Sequence, residues 1–393
     1  MRDFLSGYAR DLKPSGIRKY FDIVETLEGA ISLGVGEPDF VTPWEIRSAG
    51  IRSLQKGYTQ YTGNRGLPEL RALISRYLSE RFGAEYPADR VIVTVGASEG
   101  IDLALRATCE TGDEVLLPDP AYVSYFPIVH LCGGAPVSVK CRAENGFILT
   151  PEALEEAITP RTKTLVLAYP NNPTGGIMTK EQLEAIVPVI EKHDLLVISD
   201  EIYAELTYGG RHVSIASLGN MRERTVLLSG FSKAFAMTGW RVGFACAPKE
   251  IDSAMLKIHQ YTALCAPRIS QHAAVAALQS GFADGFSVVQ KMREEYDRRR
   301  RFLVNALNGM GLSCFEPRGA FYVFPSVEKT GMTGEEFAGE LLQKERVAVV
   351  PGSAFGECGT YHVRCSYATG MDELTEAVAR IARFTENAVK NAP

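Results

Sequence analysis

Between residues 91 and 246 short apolar runs alternate with longer amphipathic ones. That alternation predicts strands and helices in turn, and so a mostly parallel sheet covered on both faces. Val91–Val95 reads as a strand, with Glu99–Thr108 as the helix after it. Glu114–Leu117 is a strand and Tyr122–Leu131 a helix; Leu165–Ala168 is a strand and Thr179–Lys192 a helix. Leu195–Ser199, Thr225–Leu228 and Val242–Ala245 complete the strands of this region. After about residue 285 the pattern changes to a long helix, roughly Val288–Leu307, and a strand-rich segment containing Ala320–Phe324. A helix, Thr333–Gln343, follows, then strands at Val347–Val350 and His362–Ser366 and a last helix from Met371.

A chain of 393 residues exceeds what one ordinary core organises. The expected fold class is therefore α/β, with the mostly parallel sheet in a large domain, residues 46–285. Residues 1–45 are too short to stand alone and are expected to join residues 286–393 in a smaller α+β domain. Charged residues make up 23% of the chain and the net charge is −5, which argues against a nucleic-acid or anionic-membrane partner. The one basic cluster, Arg298–Arg301, follows Glu294, Glu295 and Asp297 at helical spacing and reads as a solvated helix face. No apolar run is long enough to span a bilayer, and the N-terminus has no secretory pattern. Cys109, Cys132, Cys141, Cys246, Cys265, Cys314, Cys358 and Cys365 form no CxxC and read as reduced thiols of a cytoplasmic protein. The histidines show no metal-ligand spacing, so no metal is expected.

Candidate chemistry centres on Ser229–Gly243, where Lys233 sits among small and hydroxyl residues with Arg241 eight positions on. A lysine that loses its proton easily can attack a carbonyl and form a Schiff base. Ser232 and Arg241 suit a phosphate. Aldehyde and phosphate together describe pyridoxal 5'-phosphate. Gly96, Ala97 and Ser98 follow the strand ending at Val95, where small residues and a helix N-terminus can cradle the same phosphate. Asp200 follows Leu195–Ser199, and a carboxylate there can keep a pyridine nitrogen protonated. Tyr203 and Asn172 can each donate to the phenolic oxygen of the ring. Tyr122 is the choice for stacking on the ring face, with Tyr125 as the alternative. Taken singly, Asp200 is equally a helix N-cap and Asn171–Gly175 equally a turn. Their order upstream of Lys233 favours the cofactor.

The chain resembles fold-type I pyridoxal-phosphate enzymes of the class I/II aminotransferase family from end to end. The resemblance rests on Ser32–Phe40, Tyr61–Gly66, Asn171–Gly175, Asp200–Tyr203, Ser229–Gly243 and Val363–Tyr367. The segments Ser15–Lys19, Gly319–Tyr322 and Pro351–Gly356 are similar to the branch holding aspartate and aromatic aminotransferases. It implies that Arg364 grips the substrate α-carboxylate and that Gly36 lies against the substrate. Asn172 would share in substrate binding. Tyr61, with Tyr58 as the alternative, would reach the cofactor phosphate of a neighbouring subunit, which makes a homodimer with shared active sites. Lys233, released from the cofactor, would act as general base and acid.

The expected reaction moves the amino group of an aromatic or aspartate-type L-amino acid to a 2-oxo acid, 2-oxoglutarate first among them. Arg18 and Arg268 are candidate cations for a distal carboxylate; Ile17, Tyr125 and Phe231 are candidate walls for an apolar side chain. A carbon–sulfur β-lyase on the same fold is the alternative. A regulator with a DNA-binding module is not expected, since the first strong motif begins near Ser32 and leaves little room for one, and GxxxxGK is absent.

Overall fold

The computed structural model describes residues 3–12 and 27–390. Its large sheet has seven strands in the order β2-β8-β7-β6-β5-β3-β4. Numbered along the chain, the strands are β1 (Ile31–Ser32), β2 (Val91–Thr94), β3 (Glu114–Asp119), β4 (Ala135–Lys140), β5 (Thr162–Ala168) and β6 (Leu196–Asp200). They continue as β7 (Thr225–Gly230), β8 (Gly243–Cys246), β9 (Tyr322–Val323), β10 (Val347–Ala348), β11 (Val350–Pro351) and β12 (Val363–Ser366). In the large sheet only β8 runs against its neighbours; β3 to β7 are parallel. The fold is the expected α/β class.

Side-chain alternation explains why the sheet is covered twice. Val226 and Leu228 of β7 pack on one face with Ile101 and Leu105, while Leu227 packs on the other with Leu70 and Phe235. Strands buried on both faces read as continuous apolar runs, which is how β6 and β7 appear in the sequence. The pairing also fixes where a site can form. Ala168 at the end of β5 lies beside Asp200 at the end of β6. Gly230 at the end of β7 pairs with Gly243 at the start of β8, and Gly243 with Thr94 at the end of β2. One end of the sheet thus gathers the loops after β2, β5, β6 and β7, as expected of open α/β sheets.

The smaller unit is built on a three-stranded antiparallel sheet, β11-β12-β9. The early segment joins it: β1 pairs in parallel with β10. Leu33, Tyr296, Phe321, Tyr322, Phe337 and Phe384 share one core cluster there. Helices Lys180–Lys192 and Gly334–Glu345 start where expected, since Thr179 and Thr333 are their N-caps and each closes a capping box with Gln182 or Glu336.

Several expectations need correction. The helix expected over Tyr122–Leu131 begins at Tyr125, because Ala121 N–H donates to Phe355 O (2.9 Å) and ties this approach to the smaller unit. The strand expected at Val347–Val350 is split: Ala348 pairs with Ser32, whereas Val350 pairs with Arg364. Only Tyr322–Val323 of Ala320–Phe324 is paired as strand. Helices Trp44–Gln55, Pro68–Phe82, Lys249–Thr262 and Arg268–Asp284 were not foreseen.

The cluster Arg298–Arg301 is not a solvated face. Arg298 and Arg301 are exposed, but Arg299 and Arg300 are buried. Arg299 bridges Asp39 and Glu295, each at 2.8 Å, and so ties the segment after Gly36 to helix Ser287–Gly309. Helical spacing located the acids on that helix but not Asp39, which is 260 residues away in sequence. Arg299→Met strips the cation from both carboxylates. It is expected to cost about 2–3 kcal/mol, below the range for a fully buried pair because solvent reaches both acids. Urea unfolding of the purified variant checks this; a cost under about 0.5 kcal/mol would show the bridge to be marginal.

Candidate active site

The strand ends enclose a cavity of about 430 Å³ lined by Lys233, Asp200, Arg241, Arg364 and neighbours. Lys233 stands in the loop between β7 and β8, which is held in shape by two non-glycine residues in the left-handed region, Ala236 (φ 51°) and Arg241 (φ 51°). Such conformations cost about 1 kcal/mol or more each and persist only where surroundings impose them. Lys233 Nζ donates to Gly36 O at 2.6 Å. Burial pushes its amine down to about 8, with Glu37 opposing and Arg364 and Arg241 reinforcing the shift. A lysine in that state supplies a neutral nucleophile near neutral pH.

Asp200 is buried in the cavity wall. Its Oδ2 accepts from Tyr125 Oη (2.8 Å) and its Oδ1 from Ile202 N–H (3.1 Å). Burial raises its carboxyl above the usual range, while these two donors and Lys233 pull the other way. Tyr203 Oη shares a hydrogen bond with Tyr322 Oη at 2.8 Å, and Lys233 Nζ lies 5.7 Å from the Tyr203 ring centre. Asn172 Oδ1 accepts from Arg364 Nη1 (2.8 Å), which leaves the amide nitrogen facing onward as a donor.

Arg364 enters from β12 and is 2% exposed. Nη2 donates to Gly34 O (2.6 Å), while Nε is buried without a partner. The rings of Tyr322 and Phe355 lie 4.5 Å and 4.8 Å from its guanidinium carbon. Lys233 and Arg364 therefore both donate to carbonyls of one segment, Gly34–Gly36, and Gly36 lines the cavity.

At the other end, helix Gly96–Thr108 presents its first turn to the cavity through Ala97 and Ser98, opposite Ser232 and Arg241. Gly96 has φ +74°, and a Cβ there would come within 2.6 Å of Arg241 Nη2. A Cβ on Gly243 would meet Ala97 N at 2.7 Å. Both glycines let the guanidinium and the helix N-terminus close on the same point, the arrangement an anion requires. A phosphate fits at this end, an aldehyde at the buried amine, a ring nitrogen at Asp200 and a carboxylate at the Arg364 fork. The donor set fits pyridoxal phosphate with an amino acid.

Of the residues expected from sequence, Gly36, Ala97, Ser98, Tyr122, Asn172, Asp200, Tyr203, Ser232, Lys233, Arg241 and Arg364 line this cavity, and Gly96 abuts Arg241. Tyr61 does not; it is 78% exposed at the surface. Tyr58 stacks on His272 (5.0 Å between ring centres), and the Arg268 guanidinium carbon lies 5.0 Å from the Tyr58 ring centre. Arg268 is not at the cavity: it donates to Gln60 Oε1 at 3.2 Å. Phe231 is not a wall of the site but core, packed on Phe235 and Phe244. Tyr125 lines the cavity as a partner of Asp200, while Tyr122 meets it edge-on at 5.5 Å. Ile17 and Arg18 lie outside the described residues.

Sequence reasoning missed the part played by Tyr322, which touches Tyr203 and Arg364, and whose hydroxyl would be 2.7 Å from a Cβ on Gly36. Its neighbours in sequence are all core residues, so periodicity carried no signal for it. Among the described residues no helix is long and apolar enough to cross a membrane, and no group of acids, histidines and cysteines could hold a metal ion. All eight cysteines are free thiols.

Residues 28–381 match the family model for aminotransferase class I and II. A putative aminotransferase, YugH, of Bacillus subtilis is 54% identical over 385 residues, covering 98% of this chain and 99% of that protein. An aspartate aminotransferase of Pyrococcus abyssi is 46% identical over 374 residues, covering 95% and 96%. The crystal structure of an aromatic aminotransferase from Pyrococcus horikoshii superposes with a TM-score of 0.89 at 44% identity, covering 94% of this chain and 99% of that one. A carbon–sulfur lyase finds no support among these relatives.

Proposed function

Because the chain belongs to the class I and II aminotransferases, pyridoxal-phosphate-dependent transaminases of fold type I, we propose that its donor is an aromatic or aspartate-type L-amino acid and its acceptor 2-oxoglutarate. The observation that carries this reading is the convergence of Lys233, Asp200, Arg241 and Arg364 on one cavity. Among the described residues, the cationic side chains lining it are Lys233, Arg241 and Arg364. Each already has a partner group in the cofactor or the α-carboxylate. Ile101, Val123 and Tyr322 in the lining suit an apolar donor side chain, while Arg18, a candidate cation for a distal carboxylate, lies outside the described residues.

Ser232, Arg241, Gly96, Ala97 and Ser98 would hold the cofactor phosphate. Tyr122 would lie against the ring, Asp200 would face its nitrogen, and Asn172 and Tyr203 its phenolic oxygen. Pyridoxal phosphate supplies an electron sink for the pair left when the substrate Cα–H bond breaks. Arg364 binds the α-carboxylate, which sets the angle at which that bond stands. Asp200, ionised, keeps the ring nitrogen protonated. Lys233 Nζ is the base that takes the Cα proton, and its low basicity relative to an exposed lysine keeps a fraction neutral at physiological pH. Gly36, whose carbonyl accepts from Lys233, would lie against the bound amino acid.

The reading includes a homodimer in which the exposed Tyr61 reaches the phosphate of the neighbouring active site. It includes a cytoplasmic setting, supported by the free cysteines. It also divides the chain into residues 46–285 and residues 1–45 with 286–393, supported by the pairing of β1 with β10.

The test is a half-reaction panel. The cofactor-loaded enzyme is mixed with single amino acids, and loss of its visible absorption is timed. Tyrosine and phenylalanine are expected to convert it at least about tenfold faster than alanine, the margin one well-filled apolar pocket supplies. Equal rates for tyrosine, phenylalanine, aspartate and alanine would remove the donor assignment.

A further inference from the structure

The strongest unassigned contact near the reacting atoms joins Tyr125 to Asp200. Tyr125 opens helix Tyr125–Leu131, and Asp200 ends β6, 75 residues later. Both side chains are buried. The phenol gives its only proton to Asp200 Oδ2 at 2.8 Å, and Ile202 N–H supplies Oδ1 at 3.1 Å. Each carboxylate oxygen therefore has one donor from the protein and one lone-pair direction left. The ring of Tyr125 also stands edge-on to Tyr122, with ring planes at 81°. One residue thus touches both the group proposed to face the ring nitrogen and the group proposed to lie on the ring face.

We infer that Tyr125 is a positioning residue: its phenolic hydrogen bond holds Asp200 ionised and aimed at the cofactor's ring nitrogen. The inference rests on the proposed role of Asp200 and deepens it. A carboxylate this deeply buried is costly to ionise unless its oxygens are hydrogen-bonded. Three other groups bear on its charge. Lys233 faces it from the β7–β8 loop and favours the ionised form. Glu201, next in sequence, opposes it. That acid is itself buried and is held by Ser199 Oγ (3.0 Å), Ser214 Oγ (2.7 Å) and His212 Nε2 (2.9 Å). The third is Tyr125, whose own ionisation is pushed far above the usual range by burial and by the Asp200 charge. It remains a phenol across the working pH range, so it always donates and never competes as an anion.

Lys233 loses its charge whenever its amine is consumed or deprotonated. From the protein, Asp200 then keeps Tyr125 and the Ile202 amide as favourable partners, beside the protonated ring nitrogen it would face. The phenol is the one of these that a substitution can remove while leaving ring, backbone and packing in place.

The experiment compares the wild-type enzyme with Tyr125→Phe, both loaded with pyridoxal phosphate. Without the phenol, Asp200 is a stronger base and draws the proton away from the ring nitrogen, which leaves less positive charge in the ring. Less positive charge in the ring raises the proton affinity of the nitrogen joining cofactor and lysine. The pH at which the visible absorption changes should then move up by at least about half a unit. The rate of the first half-reaction should fall about tenfold, as expected for loss of a hydrogen bond to a charged group, with the amino-acid dissociation constant changed less than about twofold. If Tyr125→Phe does not fold, 3-fluorotyrosine placed at position 125 strengthens the donor and should move the same transition down. A residue needed only for packing would alter thermal stability or cofactor affinity and leave the transition where it was. An unmoved transition in either variant overturns the inference. A wild-type enzyme that no amino acid converts would instead overturn the proposed function.

Discussion

Replacing Lys233 by alanine is expected to lower turnover by about 10⁴-fold, the upper end of what a positioned acid–base group contributes. The loss follows from geometry. Lys233 Nζ stands between Asp200, the Tyr203 ring and the Gly36 carbonyl, and it is the basic amine of the cavity lining. Water can enter the space that alanine leaves, but it is a far weaker base and is not held in place. The side chain also has a pH signature. Burial lowers the amine to about 8, and only its unprotonated form attacks an aldehyde. Capture of pyridoxal phosphate by cofactor-free protein should therefore accelerate as pH rises through about 8 and level off above it. Borohydride reduction and peptide mapping should find the adduct at position 233. A half-point near 10.5, the value of an unperturbed lysine, would mean that burial does not govern the amine. Wild-type turnover in Lys233→Ala would end the assignment altogether.

Arg364→Lys is expected to reduce kcat/KM by about 100-fold, mostly through KM, although charge is conserved. A guanidinium has five N–H donors in a plane, of which Asn172 Oδ1 and Gly34 O take two. The partnerless Nε and the remaining hydrogens are available to a carboxylate. An ammonium has no planar fork to match one. It would also stack less well between Tyr322 and Phe355, whose rings flank the guanidinium. Saturation curves with the best donor from the panel provide the measurement. An unchanged KM would show that the carboxylate is held elsewhere.

Much of this was legible before any fold was known, for reasons that can be named. Lys233 stands out because lysine among serine, glycine and alanine at a strand end has no packing rationale. Asp200 stands out because it directly follows the strand Leu195–Ser199. Thr179 and Thr333 mark helix starts because a hydroxyl followed three residues later by Gln or Glu is a local signal. None of the four unforeseen helices has a side-chain N-cap to mark its start, although Trp44–Gln55 and Lys249–Thr262 are as amphipathic as helices that were foreseen. Pro68–Phe82 and Arg268–Asp284 carry apolar residues on so wide a face that no sharp period emerges.

The misplacements share one cause. Phe231 stands two residues from Lys233, yet the chain turns it into the core against Phe244. Tyr125 was weighed as a ring-stacking group, but its hydroxyl ends on Asp200. Arg299 looked like a surface charge because its partner Asp39 is distant in sequence.

By itself the sequence determined the class of fold, the lysine and the identities of most groups around it. The fold class and the lysine depend on local periods and spacings, where backbone geometry dictates which side chains share a face, whereas Arg364 and Gly36 came from the resemblance to a family. Only the tertiary structure decided that Tyr125 serves Asp200, that Arg299 anchors Asp39 and that Gly36 closes over Lys233. Each joins elements 75 to 260 residues apart. Hydrogen bonds act over a few ångströms of space, and no local pattern records which remote strands will meet.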